Sequence, residues 1–322
     1  MKSKIFPIAG DASFRKFFRI ILNKKSRIIV ISKKEKYKNL VAYAAVNKFL
    51  RNKKVLTPKL FQHDYQKGVI LLEDFGDLSL YKILIRKKNK LPYYKKIVDL
   101  LIKIQKIKPN SKIKTIINKS HLINKYSNKY LHKESDLFFK WYLPLVLSNK
   151  KILKIQENLK KILTKLYKNI NLRNSYFVHR DFHVQNLMKV GTKIGLIDTQ
   201  DALIGNPAYD LTSLIDDVRI VTSRKLKDKI YDYYMKKTPI THKKHPKKFL
   251  EDFNILSIQR NLKIIGIFSR LSTRDKKDKY LKYIPYAWKL LESRMNSRVF
   301  SDLKNILDKN IKKNIRRKII YK

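Results

Sequence analysis

The chain reads as an α+β protein of two lobes: a small N-terminal antiparallel sheet lobe, then a larger, mainly helical C-terminal lobe. Three observations predict this. Alternating apolar runs separated by turn residues are concentrated before Asp74. Helical spacing of apolar residues dominates from 79 to 170 and from 208 to 310. Between those tracts, one polar loop is framed by short aromatic and β-branched runs, from Tyr176 to Asp198. The expected organisation is an N-terminal lobe over 1–76, with a hinge at 73–76, and a helical lobe over 77–322.

Ile5-Phe6-Pro7-Ile8 opens the chain and the small residues Gly10-Asp11-Ala12-Ser13 follow. Phe14 to Ile20 alternates well enough for a strand, and Lys24-Lys25-Ser26 turns it back into Arg27-Ile28-Ile29-Val30-Ile31, a hairpin. Leu40, Val41, Ala44, Ala45, Phe49 and Leu50 share one face of a helix over 38–51. After Thr57-Pro58, Leu60–Asp64 and Val69–Glu73 form a second hairpin across Gln66-Lys67-Gly68. Asp74-Phe75-Gly76-Asp77 is the break before the helices.

From 79 to 170 the spacing predicts mostly helix. Ile97, Leu100, Leu101 and Ile104 make one stripe, and Ile152, Ile155, Leu159, Ile162, Leu163 and Leu166 another. Phe138, Phe139, Trp141 and Tyr142 form an aromatic cluster, read as core. Beyond the Gly205-Asn206-Pro207 loop, helices are expected over 208–220, 223–236, 247–271, 276–293 and 297–310. The basic stretch from Lys309 to Lys322 is expected to fray. Asp210 falls in a first helical turn, which suits either a helix-start acid or a brace for the polar loop. Arg260 and Asn261 suit either a cleft or a helix crossing.

The chain has 322 residues, 43% of them hydrophobic, enough for a sizeable core. Cysteine is absent, which excludes disulfides and thiolate chemistry and fits a reducing compartment. No apolar run has the length of a signal peptide or a membrane span. The expected location is the cytoplasm, with no membrane partner. The formal net charge is +51, from 76 Lys+Arg against 25 Asp+Glu. Such a balance suggests polyanion binding. The lysines are spread over almost every helix, however, and Lys, Ile, Asn and Tyr are abundant together, as an A/T-rich coding sequence produces. No specific nucleic-acid partner is expected. His63, His121, His132, His242 and His245 show no metal-ligand spacing.

The chemistry is concentrated in His179-Arg180-Asp181-Phe182-His183-Val184-Gln185-Asn186 and in Asp198, which ends the run Lys193 to Ile197. Phosphoryl transfer needs a carboxylate to orient a hydroxyl and take its proton. It also needs an amide oxygen and a second carboxylate to hold magnesium on the phosphates. The register H-R-D-x-x-x-x-N, with Asp198 just past a strand end, supplies that set. Two strands joined by the Val190-Gly191-Thr192 turn bring Asn186 and Asp198 together. The small residues from Gly10 to Ser13, with Phe14 beside them, let backbone N–H groups approach a triphosphate, with charge from Arg15 or Arg19. The backbone from Glu73 to Phe75 is placed to meet an adenine edge. Asp74-Phe75-Gly76 spells D-F-G but precedes the polar loop in the chain, so it reads as hinge rather than metal motif.

With Gly10-Asp11-Ala12-Ser13, Leu71-Leu72-Glu73-Asp74, His179 to Asn186, Ile197-Asp198 and Gly205 to Leu211 in this order, the chain resembles the aminoglycoside phosphotransferase family, which has the protein-kinase-like fold. Within it, three stretches resemble the bacterial anomeric sugar kinases that act on N-acetylmuramate and N-acetylglucosamine in cell-wall recycling. These are Gly10 to Arg19, Asp198-Thr199-Gln200-Asp201-Ala202, and Gln259 to Lys263 with Gly266-Ile267-Phe268. The resemblance implies an ATP- and Mg2+-dependent kinase with Asp181 as catalytic base and Asn186 and Asp198 as metal ligands. It also implies a small-molecule sugar as partner, and a monomer is expected. Asp201 faces the same region, as a contact to substrate or metal.

There are departures from the family pattern. Thr199 stands where an aromatic residue is expected. No Val-Ala-Ile-Lys strand is present, so the phosphate-binding cation is open among Lys33, Arg15 and Arg19, and Glu35 is the only acid nearby. Rival readings are another hydroxyl acceptor (an aminoglycoside, choline, homoserine or fructosamine) and a basic nucleic-acid-binding protein on a degenerate kinase fold.

Overall fold

The structure, a computed structural model, describes residues 4–8, 15–23, 25–33, 37–117, 119–170, 175–238 and 243–320. Its contacts gather into two compact units, Met1–Lys125 with Ser175–Ile204, and Tyr126–Asn174 with Gly205–Lys322.

The first unit is built on a five-stranded antiparallel sheet: β1 (Lys4–Ile8), β2 (Lys16–Leu22), β3 (Lys25–Ile31), β4 (Leu60–Asp64) and β5 (Val69–Glu73), in the order β1-β2-β3-β5-β4. The two expected hairpins are present. β1 is an addition, because Pro7 and the absence of alternation hide it in the sequence. It runs along the sheet edge, paired only with β2, where a residue without an N–H costs no ladder bond on the outer side. Helix α1 (Tyr37–Asn52) lays Leu40, Val41 and Tyr43 against Val30, Ile70 and Leu72 of the sheet to form one core. Asn47 anchors the chain that leaves this helix: its carbonyl accepts from Thr57 Oγ1 (2.8 Å), and its amide donates to Pro58 O (3.3 Å).

α2 (Leu80–Leu84) and α3 (Leu91–Gln105) follow, α3 burying Ile97, Leu101 and Ile104 as its stripe predicts. A small hairpin, β6 (Lys112–Lys114) with β7 (Ser120–Leu122), interrupts a tract expected to be helical. The unit closes with β8 (Tyr176–Val178), the antiparallel pair β9 (Leu187–Val190) and β10 (Lys193–Leu196), and β11 (Leu203–Gly205), which lies beside β8.

The second unit is helical: α4 (Asn128–Leu137), a π-helical turn (Phe138–Tyr142), α5 (Leu143–Val146), α6 (Asn149–Lys168), α7 (Ala208–Ile215), α8 (Arg224–Lys237), α9 (Pro246–Thr273), α10 (Ile284–Ser293), α11 (Ser301–Asn310) and α12 (Lys313–Arg317). α9 is the axis, packed by α4, the π turn, α7 and α10. Gly266 permits a close approach of α4 to α9, since a Cβ there would sit 2.3 Å from the Leu137 carbonyl carbon. The aromatic cluster is core for Phe138, Phe139 and Tyr142: Phe138 and Tyr142 pack with Trp288, and Phe139 packs edge-on with Phe138.

Two buried carboxylates organise this unit. Glu134 accepts from Tyr126 Oη, Tyr209 Oη (3.1 Å) and Gln259 Nε2 (2.9 Å), and pairs with Lys263 Nζ at 3.1 Å. Gln259 and Lys263 of the α9 motif are therefore packing residues. Asp216 accepts from Ser257 Oγ (2.6 Å), Lys227 Nζ (2.7 Å) and Arg294 Nε and Nη2 (2.9 Å each).

Two expectations are corrected. The helix expected over 208–220 stops at Ile215, because Asp216 leaves the helical path (ψ 38°) toward these cations. The basic C terminus does not simply fray. Arg316 is fully buried, its guanidinium 5.0 Å over the Trp288 ring and bonded to Glu292 (3.0 Å) and Asp308 (2.8 Å).

Candidate active site

The polar loop of the sequence leaves β8 and returns as β9. Phe177 and Val178 are buried, Phe177 stacking on Phe49 of α1, so the loop starts from a fixed base. Inside the loop, His183 N–H donates to Asp181 O (2.9 Å) and Asn186 N–H to His183 O (2.9 Å). Asn186 Nδ2 also donates to Asp181 O at 3.0 Å. Asp181, half-buried, thus has its backbone clamped by the same amide that was expected to bind metal. His179 is fully buried and its Nε2 lies 3.0 Å from Ile197 O, which ties the start of the loop to the residue before Asp198.

The β9–β10 hairpin then does what its turn implied. Leu187 pairs with Leu196, and Ile197 N–H donates to Asn186 O at 3.0 Å, so Asn186 and Asp198 flank one hydrogen-bonded peptide pair. Arg180 (φ 75°) and Asp198 (φ 65°) both occupy the left-handed region. Non-glycine residues held there store of order 1–3 kcal/mol each, and such strain gathers at functional sites. The hairpin is tied to its surroundings by backbone bonds, Lys189 N to Leu78 O (2.8 Å) and Leu196 N to Leu56 O (2.8 Å). Tyr81 N, at the start of α2, holds Val184 O of the loop (3.0 Å).

Asp198 is the electrostatic centre. Its Oδ1 accepts from Arg15 Nη2 at 2.6 Å and from Gln200 Nε2 at 3.1 Å. Arg15 is buried, with its guanidinium carbon 5.5 Å from the Phe17 ring centre and 5.6 Å from that of Tyr43. Burial, and then the nearby Asp198 charge, push the Tyr43 phenol up, so it stays protonated. Thr199, placed where an aromatic residue was expected, is fully buried and donates to Asn47 Oδ1 at 2.7 Å. Helix α1 therefore meets this segment through Tyr43 and Asn47, both uncharged.

The structure distributes the three candidate cations. Arg15 is at Asp198. Arg19 donates to Asp74 (Nε–Oδ2 2.5 Å) and to Asp77 (2.7 Å), and these bonds, Asp77 first, hold its guanidinium pKa above the ordinary value. Lys33 is exposed at the end of β3. The inward positions of that strand are Ile28 and Val30, which line a cavity of about 220 Å³ with Phe17, Leu72, Met188 and Ile197. Residues Glu73 to Asp77 border the same cavity. The Glu73 carboxylate is engaged by Arg51 Nη1 and Lys59 N, each at 3.1 Å. Phe75 lies against Gly195, where a Cβ would come within 2.6 Å of its ring. The Asp74 carboxylate is tied to Arg19, Ser26 and Gly76 N. Burial acts to raise its pKa, but the bonds from Arg19, Ser26 and Gly76 win and hold it below the ordinary carboxylate value. Gly10, Asp11, Ala12, Ser13 and Phe14 lie outside the described residues.

The donor set fits a hard divalent cation such as magnesium, which prefers a few carboxylate and carbonyl oxygens. The Asn186 nitrogen is spent on the loop backbone and Asp198 Oδ1 on Arg15 and Gln200, so Asn186 Oδ1 and Asp198 Oδ2 are the candidate metal oxygens. Sequence reasoning missed Gln200, Tyr43 and Asn47. The polar run after Asp198 was visible, but its partners lie far away in the chain.

A family model described as the phosphotransferase enzyme family matches residues 4–237. The N-acetylmuramate/N-acetylglucosamine kinase of Pseudomonas aeruginosa is 28% identical over 295 residues, spanning 90% of this chain and 83% of that protein. The N-acetylmuramate/N-acetylglucosamine kinase of Neisseria meningitidis serogroup B is 26% identical over 280 residues, spanning 86% and 81%. Among solved structures, the ADP-bound aminoglycoside phosphotransferase APH(2'')-Ib matches with a TM-score of 0.58 at 15% identity, covering 90% of this chain and 92% of that one, a likeness of fold. With a kinase-like sheet, a loop carrying Asp181 and Asn186, and a family match from the first strand to the end of α8, the chain belongs to the phosphotransferase enzyme family and acts on a hydroxyl acceptor.

Proposed function

We propose that the protein is an ATP-dependent sugar kinase that phosphorylates the anomeric hydroxyl of N-acetylmuramate and N-acetylglucosamine, acting in the cytoplasm in cell-wall recycling. The reading is supported by the bonds that tie Asn186 to the backbone of Asp181 and of Ile197, next to Asp198, in a chain whose relatives bear that kinase name over most of their length. Among the described residues, no helix is long and apolar enough to cross a membrane.

In this reading the adenine ring enters the apolar cavity between Ile28 and Val30 of the sheet and Met188 and Ile197 of the hairpin, with Glu73 to Phe75 along its edge. The segment 73–76 is then the hinge of the sheet lobe. Gly10 to Phe14 are the phosphate-binding candidates of this reading. Arg15 supplies the cation that protein kinases place on the third strand, where this chain has hydrocarbon. Asp181 accepts the proton of the acceptor hydroxyl as its oxygen bonds to the γ-phosphorus. The bond from that phosphorus to the β–γ bridging oxygen breaks, and ADP leaves. Asn186 Oδ1 and Asp198 Oδ2 would hold magnesium, which when bound offsets the negative charge of the phosphates.

The test is turnover of both amino sugars with ATP, with the phosphorylated position read by phosphorus NMR. An anomeric phosphate is the expected product. Turnover confined to choline, homoserine, fructosamine or an aminoglycoside in a parallel panel overturns the acceptor assignment.

A further inference from the structure

Gln200 is buried, and every hydrogen-bonding group of its amide is used on a charged partner. Its Oε1 accepts from Arg15 Nη1 at 3.1 Å. Its Nε2 donates to Asp198 Oδ1 at 3.1 Å and to Asp201 Oδ2 at 2.9 Å. One side chain thus joins the buried cation to two carboxylates. Only an amide can do this, because it offers an acceptor and two donated protons together. A carboxylate there accepts only, and an ammonium donates only.

The rest of the site explains the need. In kinase-like enzymes a helix glutamate holds the phosphate-facing lysine. Here α1 offers Tyr43 and Asn47 instead, and Asn47 is committed to Thr199 and Pro58. Arg15 is seated between two aromatic rings, and its guanidinium is bonded to both Asp198 and Gln200, which bear on its direction. The rotamer of Asp198 depends in turn on which oxygen they occupy.

We propose that Gln200 is a positioning residue for phosphoryl transfer. It sets Arg15 toward the phosphates and directs Asp198 Oδ2 to the metal, taking the place of the helix glutamate. Asp201 is the counterweight that keeps the amide from rotating. The proposal rests on the assignment of Asp198 as a magnesium ligand.

The experiment is calorimetric binding of adenosine and of ADP, with and without Mg2+, to wild type and to Gln200→Met, Gln200→Glu and Asp198→Asn. Outer-shell partners of metal ligands typically cost about 10–100-fold when removed. Gln200→Met is expected to bind adenosine as wild type does, to bind Mg2+-free ADP about tenfold more weakly, and to lose most of the gain that Mg2+ gives. Gln200→Glu keeps an acceptor for Arg15 but cannot donate, and should lose the Mg2+ gain as well. Arg15→Met should not add to Gln200→Met in Mg2+-free ADP binding, because both act on the same cation. A wild-type Mg2+ gain in both Gln200 variants overturns the proposal, as does a parallel loss of adenosine binding. If Asp198→Asn keeps the full Mg2+ gain, the metal assignment itself is wrong, an outcome separate from the first.

Discussion

The buried hydroxyl of Thr199 donates to Asn47 Oδ1 at 2.7 Å, joining the residue after Asp198 to the middle of α1. Replacing it by valine keeps the shape and strands a buried amide oxygen. A polar group left unsatisfied in this way costs about 1–3 kcal/mol. Thr199→Val should lose that much stability in urea denaturation with an unchanged m-value. Its turnover should fall as well, because α1 no longer sets the height of the Asp198 segment. An unaltered midpoint would show that the bond carries no weight.

Asp181 is expected to matter to chemistry and not to folding. Asp181→Asn should lower kcat by about 10²–10⁴-fold, the usual worth of a general base, while ADP affinity and melting temperature stay at wild-type values. Wild-type turnover in that variant would falsify the assignment.

Phe75 rests on Gly195, and an added methyl group would meet its ring at 2.6 Å. Gly195→Ala should therefore cost about 1–3 kcal/mol and weaken adenosine binding, since the displaced ring borders the same cavity. Phe75→Ala on the same chain should recover part of the loss. A double-mutant cycle measures this directly, and strict additivity would mean the two residues do not press on each other.

Asp216 gives the second unit its acid limit. Burial works to raise its carboxyl, but the attraction of Arg294 and Lys227 wins and holds it well below the ordinary carboxylate range. A depressed folded value means that the stabilisation is complete above the unfolded pKa, about 4, and is lost as pH falls from there through the folded value. Asp216→Asn removes the buried carboxylate from two half-buried cations and should cost about 3–5 kcal/mol near neutrality. The gap between mutant and wild type should hold steady from pH 8 to 5 and narrow below about pH 4. A gap that widens toward low pH would contradict the sign.

Much of this was open to a reader of the sequence. Helix α1 announced itself through Leu40, Val41, Ala44 and Ala45, and the Gly191 turn between two short strands was enough to bring Asn186 beside Asp198. What stayed hidden depends on partners distant in the chain. Gln200 looks like any loop amide until Arg15 is placed against it, 185 residues away. Arg19 and Arg15 are equivalent on paper, and only the folded sheet sends one to Asp74 and the other to Asp198. The end of α7 was overrun because periodicity does not register that Asp216 is drawn out of the helix by Arg294. The tail was misread because a run of basic residues usually stays solvated, whereas Arg316 found an indole and two acids.

The seat of Arg316 has a practical consequence. A protein shortened after Asn310 would leave Glu292 and Asp308 facing each other without their common counter-ion, and the indole of Trp288 without its lid. Trimming the lysine-rich end to improve crystals would therefore loosen the helical unit from its last turn inward.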